Sequence, residues 1–336
     1  MNFFITNREI IRNGSEEIIR PDGGEHAGDN LRFGKYELET KAFNLFPEPF
    51  NDAEITYSDI KDAKPEELKG SARFFRELYD QLCKDNGAKN DVLFFIHGFN
   101  TNLNGVRNAF ETLNDRYVKN PLSPVNHIII FTWPGRHPLI PVHYFDDKKD
   151  AIRSGEALAR GIEKVIRFFK EFLVNAGNAP CDRTIHFMVH SMGHRVLKHM
   201  MLELKHNRVP LPDIFGEILL MAADIEYDIF EPAEAFPYLI DLGKRIHVYF
   251  HKNDRVLDIS KFTKNFSNRL GRYGRKRIDQ SQIDVIDSNV TSITEDLDAG
   301  LEEKLLNHWY YYTSSQVIID VIKVLNGGAS GFAVSA

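Results

Sequence analysis

The stretch TIHFMVHSMGHRVLKHMMLEL, residues 184–204, changes its hydrophobic period in the middle. Residues 184–190 form a short, nearly continuous apolar run, the length of one buried strand. From Val196 the apolar positions Val196, Leu197, Met200, Met201 and Leu204 recur at steps of three and four, which marks one face of a helix. The stretch therefore reads as a strand, a tight turn at Ser191-Met192-Gly193, and a helix. The same alternation extends outward in both directions. Strand-like runs occupy 92–97, 127–133, 217–222 and 246–251, with a shorter and more polar one at 282–286. Helical spacing joins Val106, Phe110, Leu113 and Tyr117. It recurs in Ile162, Val165, Ile166, Phe169 and Leu173, and again in Ile318, Val321, Ile322 and Leu325. Strands that are apolar throughout require cover on both faces. Strands alternating with helices supply it, so the fold class is α/β, with a mostly parallel central sheet between two helical layers.

The first 60 residues break this rhythm. Segments 3–11 and 31–38 read as strands separated by the turn-rich Asp22-Gly23-Gly24, an N-terminal extension adding antiparallel strands to the sheet. Residues 61–326 are read as one α/β domain, and the small-residue tail 327–336 as frayed. The 42 basic and 48 acidic side chains leave a net charge of −6, without the basic footprint of nucleic-acid binding. No apolar run approaches the ~18 residues of a membrane span. Cys83 and Cys181 are too few for a disulfide framework, and the N-terminus lacks a signal-peptide core. The expectation is a cytoplasmic protein with reduced thiols.

A serine at a strand-to-helix turn can simply cap the helix. The same context is what a nucleophile elbow demands, where the residues flanking the serine must be compact. In Val189-His190-Ser191-Met192-Gly193 the glycine is kept after the serine, while valine stands where G-x-S-x-G has its first glycine. An earlier strand ends in His97-Gly98-Phe99-Asn100. The loop there and the residue after the serine are where two backbone N–H groups would face a developing oxyanion, and these are Phe99 and Met192. A serine needs a base, and the base an orienting acid, in the chain order serine, acid, histidine. Asp254 and Asp224 each follow a strand pattern; Asp254 is the favoured acid and Asp224 the alternative. His308 is the only histidine beyond Asp254. Candidate substrate contacts around this set are His97, Asn100, His190, Trp133 and Arg272.

Together, residues 95–100, 190–193, Ala223-Asp224-Ile225, Asn253-Asp254 and His308-Trp309-Tyr310-Tyr311 resemble a bacterial family of α/β-hydrolases of unknown function. The resemblance runs from about residue 90 to 325 and leaves the N-terminal segment outside. It implies the α/β-hydrolase fold and a Ser191–Asp254–His308 triad, hence a serine hydrolase acting on ester or related acyl bonds of a small molecule, with no metal or organic cofactor.

Three other readings compete. His186, His190, His194, His199 and His206 are dense enough to suggest a metal, yet no H-E-x-x-H is present. Arg269, Arg272, Arg275, Lys276 and Arg277 would suit an anionic group at the mouth of the site, although such clusters are usually solvated. A non-catalytic binding module on the hydrolase fold is the functional alternative. Residues 135–150, with His137, His143, Tyr144 and Phe145, are expected to form a lid or pocket wall.

Overall fold

The computed structural model describes residues 1–14, 16–21, 28–48, 63–84, 89–135, 141–169, 183–260, 267–277, 281–293 and 306–334. The strands are β1 (Asn2–Thr6), β2 (Ile10–Asn13), β3 (Glu16–Ile19), β4 (Arg32–Glu37), β5 (Ala42–Leu45) and β6 (Asp91–Ile96). They continue with β7 (Val125–Thr132), β8 (Ile185–His190), β9 (Phe215–Met221), β10 (Gly243–Phe250) and β11 (Val285–Asn289). The helices that matter below are α1 (Gly70–Lys84), α2 (Leu103–Leu113), α3 (Pro141–Phe169) and α4 (Gly193–His206). After them come α5 (Arg255–Ser260), α6 (Leu270–Tyr273), α7 (Tyr310–Thr313) and α8 (Ser315–Leu325).

Nine strands form one sheet in the order β11-β10-β9-β8-β6-β7-β1-β4-β5, while β2 and β3 pair as a separate hairpin. From β11 to β1 every neighbouring pair is parallel, and β4 and β5 complete the edge in antiparallel fashion. The apolar runs follow from burial on both faces. In β6, Val92, Phe94 and Ile96 enter the core shared with Phe74, Leu158 and Met200, from α1, α3 and α4. The alternate residues Leu93 and Phe95 join Phe110 and Val321, from α2 and α8. Each such side chain stabilises the fold by about 1.5–3 kcal/mol relative to exposure.

The N-terminal extension belongs to this core. Tyr36 of β4 stacks on Phe110 at 4.4 Å, and Phe33 packs on Phe74 at 5.3 Å. The expected antiparallel pairing joins β1 to β4, and on its other side β1 runs parallel to β7. The expected strand at 3–11 breaks, because Thr6, Asn7 and Arg8 turn polar side chains into the interior. That places these three residues at the end of the sheet to which β6, β8, β9 and β10 also point their carboxyl ends.

Two further expectations are corrected. The predicted wall at 135–150 is largely the start of α3, a 29-residue helix opening on Pro141, where proline costs no hydrogen bond. His137, and the side chains of His143, Tyr144 and Phe145, lie outside the described residues, as does Leu173. The tail is not frayed through 334. Asp320 accepts from Ser330 Oγ at 2.7 Å and from the Gly331 amide, and Val334 N–H donates to Asp287 at 2.8 Å. Among the described residues no helix is long and apolar enough to cross a membrane.

Candidate active site

Ser191 follows the last residue of β8 and has φ +50°, in the left-handed region a non-glycine residue enters at a cost of about 1–3 kcal/mol. The surroundings hold it there. Its N–H donates to Met221 at 3.1 Å, and its carbonyl accepts from His194 N–H at 3.1 Å and Asp224 N–H at 3.2 Å. Glycine is required on both sides of the turn. A Cβ on Gly193 would stand 2.7 Å from the His97 carbonyl oxygen, and one on Gly98 would stand 2.9 Å from Ser191 Cβ. Val189, in place of the usual first glycine, is absorbed as a wholly buried member of the core on the α4 face.

His308 follows Asn307, itself at φ +52°, and precedes α7. Its Nδ1 lies 2.7 Å from Asp254 Oδ2, and both side chains are buried. A carboxylate can only accept, so Nδ1 carries the hydrogen and Nε2 keeps its lone pair. Asp254 Oδ1 accepts from the Leu257 amide at 2.9 Å, which fixes the carboxylate at the start of α5. Burial pushes the Asp254 pKa up, and His308 opposes that rise. Tyr310 ties the segment to the sheet: its hydroxyl donates to the Tyr249 carbonyl at 2.8 Å and accepts from Ala222 N–H at 2.9 Å. The ring of His190, the residue before Ser191, lies 4.8 Å from the rings of His308 and Tyr311. No hydrogen bond joins the Ser191 hydroxyl to His308 among the described residues; such contacts commonly close only around substrate.

Asp224 is engaged elsewhere. It accepts from Ser260 Oγ at 2.7 Å and lies 3.7 Å from the fully buried Arg269. The packing thus brings Asp254, rather than Asp224, to the imidazole. Phe99 stands in the loop that Gly98 presses against Ser191, and Met192 opens the turn into α4 with its amide taken by no described acceptor. Asn100 is at φ +55°, and its Oδ1 is buried without a partner among the described residues.

Several candidate substrate contacts are engaged by the protein's own groups. His97 is buried, with burial and the Arg8 cation lowering its pKa to about 3, so its ring is neutral. Its Nδ1–H donates to the Gly98 carbonyl at 2.9 Å. Trp133 is wholly buried, stacks on His97 at 5.4 Å and donates from Nε1 to the His97 carbonyl at 3.0 Å. Arg272 donates to the Lys252 carbonyl at 2.7 Å, pairs with Asp258 and lies over Tyr273. The rest of the basic cluster is largely neutralised. Arg275 pairs with Asp287 at 2.8 Å, Arg269 with Asp224 and Glu226, and Lys276 lies 3.9 Å from Glu231. Among the described residues no group of three or more His, Cys, Asp or Glu is arranged to hold a metal ion.

Comparison with known proteins agrees with this architecture. No curated protein and no solved structure matches the chain. A family model described as an alpha/beta hydrolase of unknown function (DUF900) matches residues 72–325, which takes in every residue of the site from His97 to His308. By fold and by that match, the chain belongs to this family of alpha/beta hydrolases of unknown function.

Proposed function

We propose that the protein is a serine hydrolase that cleaves a carboxylic ester or related acyl bond through an acyl-enzyme. His308 Nε2 takes the proton of Ser191 Oγ as the oxygen attacks the acyl carbon. Asp254 holds the imidazole in the required tautomer and stabilises its charged form. The amides of Phe99 and Met192 receive the oxyanion. His308 then returns its proton to the departing alcohol, and water repeats the cycle to release the acid.

The observation that carries this reading is the buried 2.7 Å His308–Asp254 contact beside a serine held at φ +50°. Packing alone does not call for a buried imidazole–carboxylate hydrogen bond and a strained residue at the carboxyl ends of neighbouring strands, whereas acyl transfer uses both. The test is hydrolysis of p-nitrophenyl esters of graded acyl length by wild type, Ser191→Ala and His308→Gln. Wild-type turnover that falls by about 10⁴–10⁶ in each variant is expected. A rate that survives Ser191→Ala refutes the mechanism, and a folded wild type inert toward every acyl substrate favours a binding module.

A further inference from the structure

The N-terminal strand β1 lies outside the matched family region, yet its end reaches the loop beside Ser191. Arg8 is buried there. One arm of its guanidinium, Nη2, donates to the Thr101 carbonyl. Its Nε–H donates to Thr132 Oγ1 at 2.7 Å, and Thr132 Oγ1 lies 3.3 Å from His97 Nε2. Arg8 can only donate, so Thr132 Oγ1 accepts from it and keeps its own hydrogen to offer to His97 Nε2, an acceptor that the Trp133 N–H also approaches at 3.2 Å. His97 is neutral and donates from Nδ1 to the Gly98 carbonyl at 2.9 Å, so its Nε2 is the acceptor. The chain runs from a buried cation through Thr132 and His97 to Gly98. That carbonyl shares its peptide unit with the N–H of Phe99.

We propose that Arg8 is a positioning residue for the oxyanion loop: it clamps residues 98–101 and, through Thr132 and His97, polarises the peptide whose N–H is Phe99. The inference rests on the hydrolase reading and on Phe99 as an oxyanion donor. Two effects follow from one side chain. Donation to a peptide carbonyl makes the N–H of the same peptide a stronger donor, and bonds in such a chain reinforce one another in a low-dielectric interior. Holding the Thr101 carbonyl fixes the far end of the loop, so the amide need not reorganise as charge develops. Asn7, next to Arg8, donates to Ser154 Oγ of α3 at 2.9 Å and so ties the end of β1 to that helix. Arg8 touches no substrate in this account and acts only through the loop.

The test compares Arg8→Met, Arg8→Lys and Thr132→Val with wild type in the full chain. It measures kcat and KM on the best ester, inhibition by a trifluoromethyl ketone, and the melting midpoint. Ser191 adds reversibly to that ketone, its proton passing to His308 and the carbonyl oxygen becoming an oxyanion without any leaving group. Arg8→Met is expected to lower kcat about 10-fold with KM little changed, below the 10²–10³-fold loss of a whole oxyanion donor. Ketone affinity should fall by the same factor, with Arg8→Lys recovering part of both. A folded Arg8→Met with wild-type kcat and ketone affinity overturns the proposal. Should that variant fail to fold, Thr132→Val decides, because it cuts the relay and keeps the Thr101 clamp; an unchanged kcat there overturns the polarising role. A wild type that shows no Ser191-dependent turnover defeats the hydrolase reading before any variant is made, and this inference with it.

Discussion

Replacing Asp254 by asparagine separates the orienting role of the carboxylate from its volume. The side chain keeps its size in a fully buried site, but two accepting oxygens become one oxygen and one N–H₂. Asp254 now accepts twice, from His308 Nδ1 at 2.7 Å and from the Leu257 amide at 2.9 Å. With the new oxygen kept on Leu257, the N–H₂ faces His308 and forces the other tautomer, in which Nε2 carries the hydrogen and cannot act as a base. In a serine-protease triad that defect alone costs about 10⁴ in kcat. With the amide flipped, the imidazole stays correct but two N–H donors meet at Leu257, a buried clash of about 1–3 kcal/mol. At 1.4 kcal/mol per tenfold, this arrangement is populated only ~1–20% of the time. That population alone lowers kcat about 5–100-fold, and the neutral amide no longer stabilises the charged imidazole, so Asp254→Asn should lower kcat by about 10²–10⁴ in all with little change in KM. Stability should suffer less. Burial raises the Asp254 pKa, so stability is lost as pH rises from the unfolded carboxyl's pKa to the raised value and the cost is complete above it; asparagine removes this cost. The assay is kcat on the best ester from pH 5 to 9 beside the melting midpoint. An Asp254→Asn variant within about tenfold of wild type in kcat would refute the argument.

Other substitutions probe the rest of the site. Asp224→Asn should destabilise the fold by about 3 kcal/mol, because the fully buried Arg269 loses a partner, while the kcat of the folded fraction changes little; urea unfolding and kinetics on the same sample check this. Gly98→Ala would place a methyl 2.9 Å from Ser191 Cβ and 3.1 Å from His190 Nδ1, and should cost more in kcat than in melting midpoint. Burial works to raise the Glu226 pKa, but Arg195, Arg269 and Lys198 outweigh it and hold the value down to about 2. A lowered carboxylate pKa contributes stability that is complete above its unfolded value and lost as pH falls through the folded one. Glu226→Gln should accordingly flatten the fall in melting midpoint between pH 5 and 2.

The parallel core was legible because both faces of its strands are covered, which leaves long apolar runs. Strand β10 starts earlier than its apolar run, at Gly243. The polar Arg245 is accommodated by pairing with Glu217 of β9 at 2.7 Å, a contact local sequence does not reveal. The opening of α3 read as loop because prolines and aromatics crowd residues 134–145, although a proline at a helix start is harmless. The tail read as frayed because its binding partner, Asp320, is a buried acid on a helix face that otherwise looks apolar. Ser191, Asp254 and His308 stood out by chain order and position past strand patterns. Both aspartates met those criteria, however, and only folding shows which carboxylate His308 meets. Arg8 carried no signal at all, since a single arginine after a strand gains meaning only from Thr101 and Thr132, which lie far along the chain.

The most direct test of the central claim is reaction of the folded protein with a fluorophosphonate probe, with the adduct located by mass spectrometry. The account predicts a single adduct on Ser191, formed in the wild type and absent from Ser191→Ala and His308→Gln. No adduct on Ser191, or labelling that persists without His308, would contradict the assignment of an activated serine.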